Sequence, residues 1–143
     1  SGQSRNSGIN NWALFKGLID RQADVQAKFE KIAAATRQLE TALLDMNWEA
    51  ARSAIDEEWA TRRTLAPGIS TEPMDRALAR AQKNFPLTGK VCGAGGGGCF
   101  FVFVPSGQDA DKAKVQEIFA EEGLRALPFR AVPRGLEVTL TGA

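Results

Sequence analysis

Apolar residues recur at three- and four-residue steps through the first half of the chain, and at two-residue steps or without a break in the second. Trp12, Phe15, Leu18 and Ile19 share one side of a short amphipathic helix over Asn11 to Arg21. A longer helix follows, with Val25, Phe29, Ile32, Leu39, Leu43 and Met46 on its apolar stripe. Asn47 is placed to cap a third helix, because its short polar side chain can accept an orphan amide of the first turn. That helix would bury Trp48, Ala51, Ile55 and Trp59, carry Glu49 near its positive end, and stop at Pro67-Gly68. Ser70 or Thr71 starts a fourth, which turns Met74, Leu78 and Ala81 inward and ends by Asn84 and Pro86.

From residue 87 the period changes. Leu87 to Cys92 and Cys99 to Val104 read as strands, and Pro105-Ser106-Gly107 turns the chain. Asp109 to Glu122 predicts a helix that buries Val115, Ile118 and Phe119 and is closed by Gly123. Leu127, Phe129 and Ala131 alternate, as do Leu136, Val138 and Leu140, predicting two final strands with Pro128 and Pro133 at an edge. The fold class expected is α+β, with helices packed on one face of a small antiparallel sheet.

The chain has 143 residues and is 43% hydrophobic, enough for one domain with its own core. Eighteen basic and seventeen acidic residues give a net charge of +1, which points neither to nucleic acid nor to a membrane surface. No apolar run has the length of a membrane span and no signal-peptide pattern opens the chain, so a soluble cytoplasmic protein is expected. There is no histidine, which removes imidazole bases and ligands, and no metal site is expected. Cys92 and Cys99 bracket a glycine run and read as two small buried residues on neighbouring strands rather than a redox pair.

The glycine run is the candidate functional feature. Residues 93 to 98 read Gly93-Ala94-Gly95-Gly96-Gly97-Gly98, between two strands. Glycine destabilises a strand interior, so five in six positions need another purpose: a loop at positive φ whose amides come close to an anion. A P-loop is excluded because Cys99 and Phe100, not Lys and Ser or Thr, follow Gly98. The spacing of Gly93, Gly95 and Gly98 matches a dinucleotide fingerprint, but a strand follows where that mechanism needs a helix N-terminus. Arg76, Arg80, Lys83 and Lys90 fall in a window without acidic residues. The first three read as solvated helix charges, whereas Lys90, beside the loop, is a candidate anion contact. Glu57 and Glu58 read as solvated charges too, leaving no carboxylate to serve as base.

Lys90-Val91-Cys92-Gly93-Ala94-Gly95-Gly96-Gly97-Gly98-Cys99 resembles the third, C-terminal motif of the GHMP kinases, the family of galactokinase, homoserine kinase, mevalonate kinase and phosphomevalonate kinase. Cys92 departs from the threonine typical of that motif. Gly2-Gln3-Ser4-Arg5-Asn6-Ser7 is similar to the segment that opens the C-terminal domain of mevalonate-type kinases. The ending Phe129 to Leu140, with Arg134-Gly135-Leu136-Glu137-Val138, resembles the heptose-phosphate kinase branch. The resemblance implies that residues 1–143 are one ferredoxin-like C-terminal domain, and that the N-terminal ATP-binding domain, with the catalytic aspartate and magnesium ligands, lies outside this chain. It implies a kinase that uses ATP and Mg2+ to phosphorylate a hydroxyl of a sugar or sugar phosphate. Gly93 to Gly98 would form the floor of the site, Arg5 would contact an anionic group of the substrate, and Ser7 would brace the loop or the acceptor. No catalytic residue is expected in this chain, and the fragment alone should be inactive, bind no cofactor tightly, and self-associate through apolar surface on the Trp12 helix or the Phe100 to Phe103 strand.

Two other readings remain open. The chain could be a metabolite-sensing regulatory domain with an anion-binding glycine loop and no catalysis. Alternatively, the glycines could mark a tight packing point between crossing backbones.

Overall fold

Among the described residues, 8–93, 95–130 and 135, a computed structural model of the chain shows five helices and one β-hairpin. The order is α1 (Gly8–Ile19), α2 (Ala23–Leu44), α3 (Trp48–Arg62), α4 (Glu72–Gln82), β1 (Thr88–Val91), β2 (Phe100–Phe103) and α5 (Asp109–Glu121). The α+β class follows the change of hydrophobic period at residue 87. Among the described residues no helix is long and apolar enough to cross a membrane.

Helices α2 and α3 form a hairpin, turned by Met46 at φ 53°. The cap expected at Asn47 is present: its side-chain oxygen accepts the amide of Ala50 at 3.0 Å, which stabilises the helix start by about 1 kcal/mol. Val25 and Ile32 of α2 are buried with Ala51, Ala54 and Ile55 of α3. The stripe is less fully covered than its spacing implied, since Leu43, Met46 and Trp48 are exposed. Three of the four apolar residues expected to pack from α1 also face outward: Trp12 is 65%, Phe15 62% and Ile19 72% exposed.

The main core lies between α4, α5 and the hairpin. Met74 and Leu78 of α4 bury against Leu87 and Val91, with Val115 and Phe119 of α5 beside them. Phe100 stacks on Phe119 at 5.2 Å between ring centroids, an aromatic contact worth roughly 1 kcal/mol beyond the area it buries. Strands β1 and β2 pair antiparallel, with Thr88 opposite Phe103 and Val91 opposite Phe100. Thr88 and Lys90, two apart and therefore on one side of the strand, reach α3 through Asp56 and Glu58.

Past α5, Gly123 turns at φ 75° and residues 124–130 form no strand. The strand expected from Leu127 onward is thus not formed over residues 127–130. Pro128 has no amide to donate, and Leu127 and Phe129 are 51% and 85% exposed. The remainder of that strand and the expected strand at Leu136 to Leu140 lie outside the described residues.

Candidate functional site: the glycine loop

The ladder of β1 and β2 extends one rung beyond the strands, where the Cys92 amide donates to the Cys99 carbonyl at 2.9 Å. That bond closes the neck of the glycine loop. Above it, Gly93, Gly95, Gly96, Gly97 and Gly98 have φ of 72°, 76°, 77°, 141° and 68°. A side chain at any of these angles would strain the backbone, which accounts for the glycine run residue by residue.

The middle of the loop is docked. Gly96 donates its amide to the Ile69 carbonyl at 2.8 Å, and Ile69 belongs to the core. The segment holding Ile69 is fixed in turn by Asp75, which accepts the Ser70 hydroxyl at 2.8 Å and the Arg63 guanidinium at 2.9 Å. Gly93 and Gly98 are exposed, with open space where a Cβ would stand. Among the described residues the amides of Gly93, Gly95 and Gly97 donate to no partner. Backbone donors held at positive φ around a fixed centre are suited to an anion such as phosphate.

Lys90, the candidate anion contact beside the loop, is paired with Glu58. Its ammonium lies 2.6 Å from Glu58 Oε2 in an ion pair that lacks hydrogen-bond direction. Glu58 accepts Arg62 Nε at 2.6 Å on its other oxygen. Glu58 is itself only 6% exposed, so the solvated charge expected from the sequence is a buried anchor between α3 and β1. Its spacing from Ala51, Ala54 and Ile55 already places it on the inward face of α3. Glu57, half-buried with its side chain 43% exposed and 3.8 Å from Lys31, fits the solvated reading.

Arg76 and Arg80 are also committed. Arg76 donates to Glu122 at 2.9 Å and to Glu72 at 2.6 Å. Arg80 donates to Glu122 at 2.7 Å and also pairs with Glu121. These two cations clasp α4 to the end of α5. Both guanidinium pKa values are raised, first by the hydrogen bond to Glu122, and the Glu122 carboxyl is held below the usual carboxylate range by Arg76 and then Arg80.

The expectation that Cys92 and Cys99 are buried is overturned: both thiols are free and exposed. They lie where the hairpin leaves its helical cover. Arg5, Ser7 and Ala94 lie outside the described residues. Ile69, the loop's anchor, was not among the residues singled out in the sequence. The Pro67-Gly68 turn brings it there, but no local pattern announces a contact with a loop more than twenty residues away.

A cavity between α4 and β1, lined by Trp59, Ser70, Asp75, Gly89 and Lys90 among others, has a volume of about 10 Å³. That is room for a water at most, not for a nucleotide or a sugar. Among the described residues no group of three or more Asp, Glu or Cys side chains could hold a metal ion.

A family model described as the C-terminal region of GHMP kinases matches residues 39–118, more than half of the chain and the whole of the glycine loop. No curated protein and no solved structure matches the chain.

Proposed function

The chain belongs to the GHMP kinase family through its C-terminal domain, and from that premise we propose that it is the substrate-side half of an ATP-dependent kinase acting on a hydroxyl of a sugar or sugar phosphate. The glycine loop carries this reading: a docked centre at Gly96, exposed ends at Gly93 and Gly98, and amides of Gly93, Gly95 and Gly97 that donate to no partner among the described residues. Family membership implies ATP and Mg2+ in the full enzyme. When bound, ATP supplies the phosphoryl group and Mg2+ offsets its charge.

The loop amides fit a phosphate group, whereas the described residues offer no cluster for magnesium. We therefore assign Mg2+ to ligands outside them. Gly93 to Gly98 would line the floor of the site, where fixed donors favour the charge that builds on the transferring group and need no rearrangement. Lys90, neutralised by Glu58, would hold β1 in place and so set the loop's height rather than meet the substrate. Arg5 would contact the anionic group of the substrate, and Ser7 would brace the loop or the acceptor. Without the ATP-binding domain, the chain would turn over no ATP.

The decisive experiment joins this chain to its ATP-binding half and screens ATP-dependent phosphorylation of sugars and sugar phosphates. Transfer to one of these acceptors is expected, and none from the isolated chain. ADP formation with amino-alcohol or mevalonate-type acceptors alone would overturn the sugar assignment. An upstream coding sequence without a Gly-Leu-x-Ser-Ser type loop would favour a metabolite sensor.

A further inference from the structure

We propose that Cys92 and Cys99 are a reversible dithiol–disulfide pair, closing across the neck of the glycine loop when a small disulfide such as glutathione disulfide is in excess. The hairpin register sets the two residues opposite each other. Val91 pairs with Phe100, and the next rung is the Cys92 amide on the Cys99 carbonyl at 2.9 Å. Opposed residues on antiparallel strands send their side chains to the same face. Opposed residues on antiparallel strands hold their Cα atoms about 4.5–5.5 Å apart, inside the range a disulfide spans.

Access is the second requirement. Both thiols are free and exposed, and they are the only two in the chain. Each adjoins a glycine, Gly93 or Gly98, around which there is open space. The neck can therefore take up the small rotations that ring closure needs without meeting a neighbour.

The chemistry balances with the named oxidant. One cysteine thiolate attacks a sulfur of glutathione disulfide, breaks its S–S bond and expels one glutathione thiolate. The second thiolate then attacks the cysteine sulfur of that mixed disulfide, forms the Cys92–Cys99 bond and expels the other glutathione. Two electrons pass from the cysteines to glutathione disulfide, and the two thiol protons end on the two glutathiones. The product is a ring that ties the loop's two stems together, independently of what the loop binds.

Trypsin leaves both cysteines on one peptide, Val91 to Lys112. The folded protein is equilibrated in glutathione buffers of rising oxidation, acid-quenched, alkylated and digested. The expected peptide is lighter by two hydrogens and takes up no alkylating reagent, the protein stays monomeric on a non-reducing gel, and dithiothreitol restores both thiols. Cys92→Ser and Cys99→Ser should each carry one glutathione on the remaining thiol instead. Closure in the native protein should be at least about tenfold more favourable than in urea. Wild-type protein that accumulates two glutathiones per chain or cross-linked dimers, or that closes equally well in urea, would overturn the proposal.

Discussion

The Ile69 carbonyl accepts the amide of Gly96 at 2.8 Å, and the same oxygen stands 2.4 Å from where a Cβ on Gly95 would lie. The loop is thus pressed against the link between α3 and α4 as closely as two backbones can approach. Two demands on glycine therefore separate along one run. Gly95 needs both its φ of 76° and the missing side chain, whereas Gly93 and Gly98 need only their φ of 72° and 68°.

Gly95→Ala should accordingly destabilise the domain more than Gly93→Ala or Gly98→Ala. A left-handed alanine costs roughly 1–2 kcal/mol, and the clash with a backbone oxygen adds about 1–3 kcal/mol more. Urea titration of the three variants checks the order. Equal losses at all three positions would remove the docking contact from the account. In the full enzyme, Gly93→Ala and Gly98→Ala should instead lower phosphate transfer while leaving most of the stability.

Glu58 makes a second anchor, joining α3 to β1 through Lys90 and bracing it with Arg62. Glu58→Ala leaves two cations without their buried partner, although Arg62 and Lys90 keep side-chain exposures of 32% and 21% and water can reach them. A loss of about 1–3 kcal/mol is expected, below the cost of breaking a fully buried pair. Lys90→Met should cost less, because Arg62 still satisfies Glu58. A double-mutant cycle on Glu58 and Lys90 measures their coupling, and a value near zero would mean that the pair positions nothing.

Much of this was legible in the sequence because it depends on local rules. The Asn47 cap, the helical spacing of Met74, Leu78 and Ala81, and the turn of Gly123 each follow from a few neighbouring residues. The positive φ of the loop glycines follows from composition alone. What the sequence hid was contact between distant segments. Ile69 meets Gly96, Glu58 meets Lys90, and Arg76 and Arg80 meet Glu122, all across separations that no periodicity encodes. Exposure at a hairpin's end is equally nonlocal: Cys92 continues the strand pattern of Leu87 to Val91, yet helical cover stops before it.

The clasp between α4 and α5 should make stability depend on pH in a known direction. Glu122 has a folded pKa below its unfolded value, because Arg76 and Arg80 hold the carboxylate charged. Its contribution is fully present above the unfolded carboxylate range, about pH 4–5, and is lost as pH falls through the lower folded value. Glu122→Gln should therefore be less stable than wild type near neutrality, and the gap should close with acid. Because the clasp is at the surface, added salt should narrow the same gap. A gap that stays constant with pH would show that Glu122 acts through packing instead.

Trp12, Phe15 and Ile19 present the largest apolar side chains of α1 to solvent. The strand Phe100–Phe103 is by contrast half-buried, so α1 is the stronger candidate for self-association of the isolated chain. Covering one large apolar side chain gains roughly 1.5–3 kcal/mol, and three on one short helix form a patch that water leaves readily. Sedimentation velocity should show association that grows with concentration. The double variant Trp12→Glu and Phe15→Glu should weaken it at least about tenfold, or about 1.4 kcal/mol, without lowering the stability of the core that Met74 and Phe119 form. A single monomeric species at every concentration would mean that α1 covers its apolar side without a second chain.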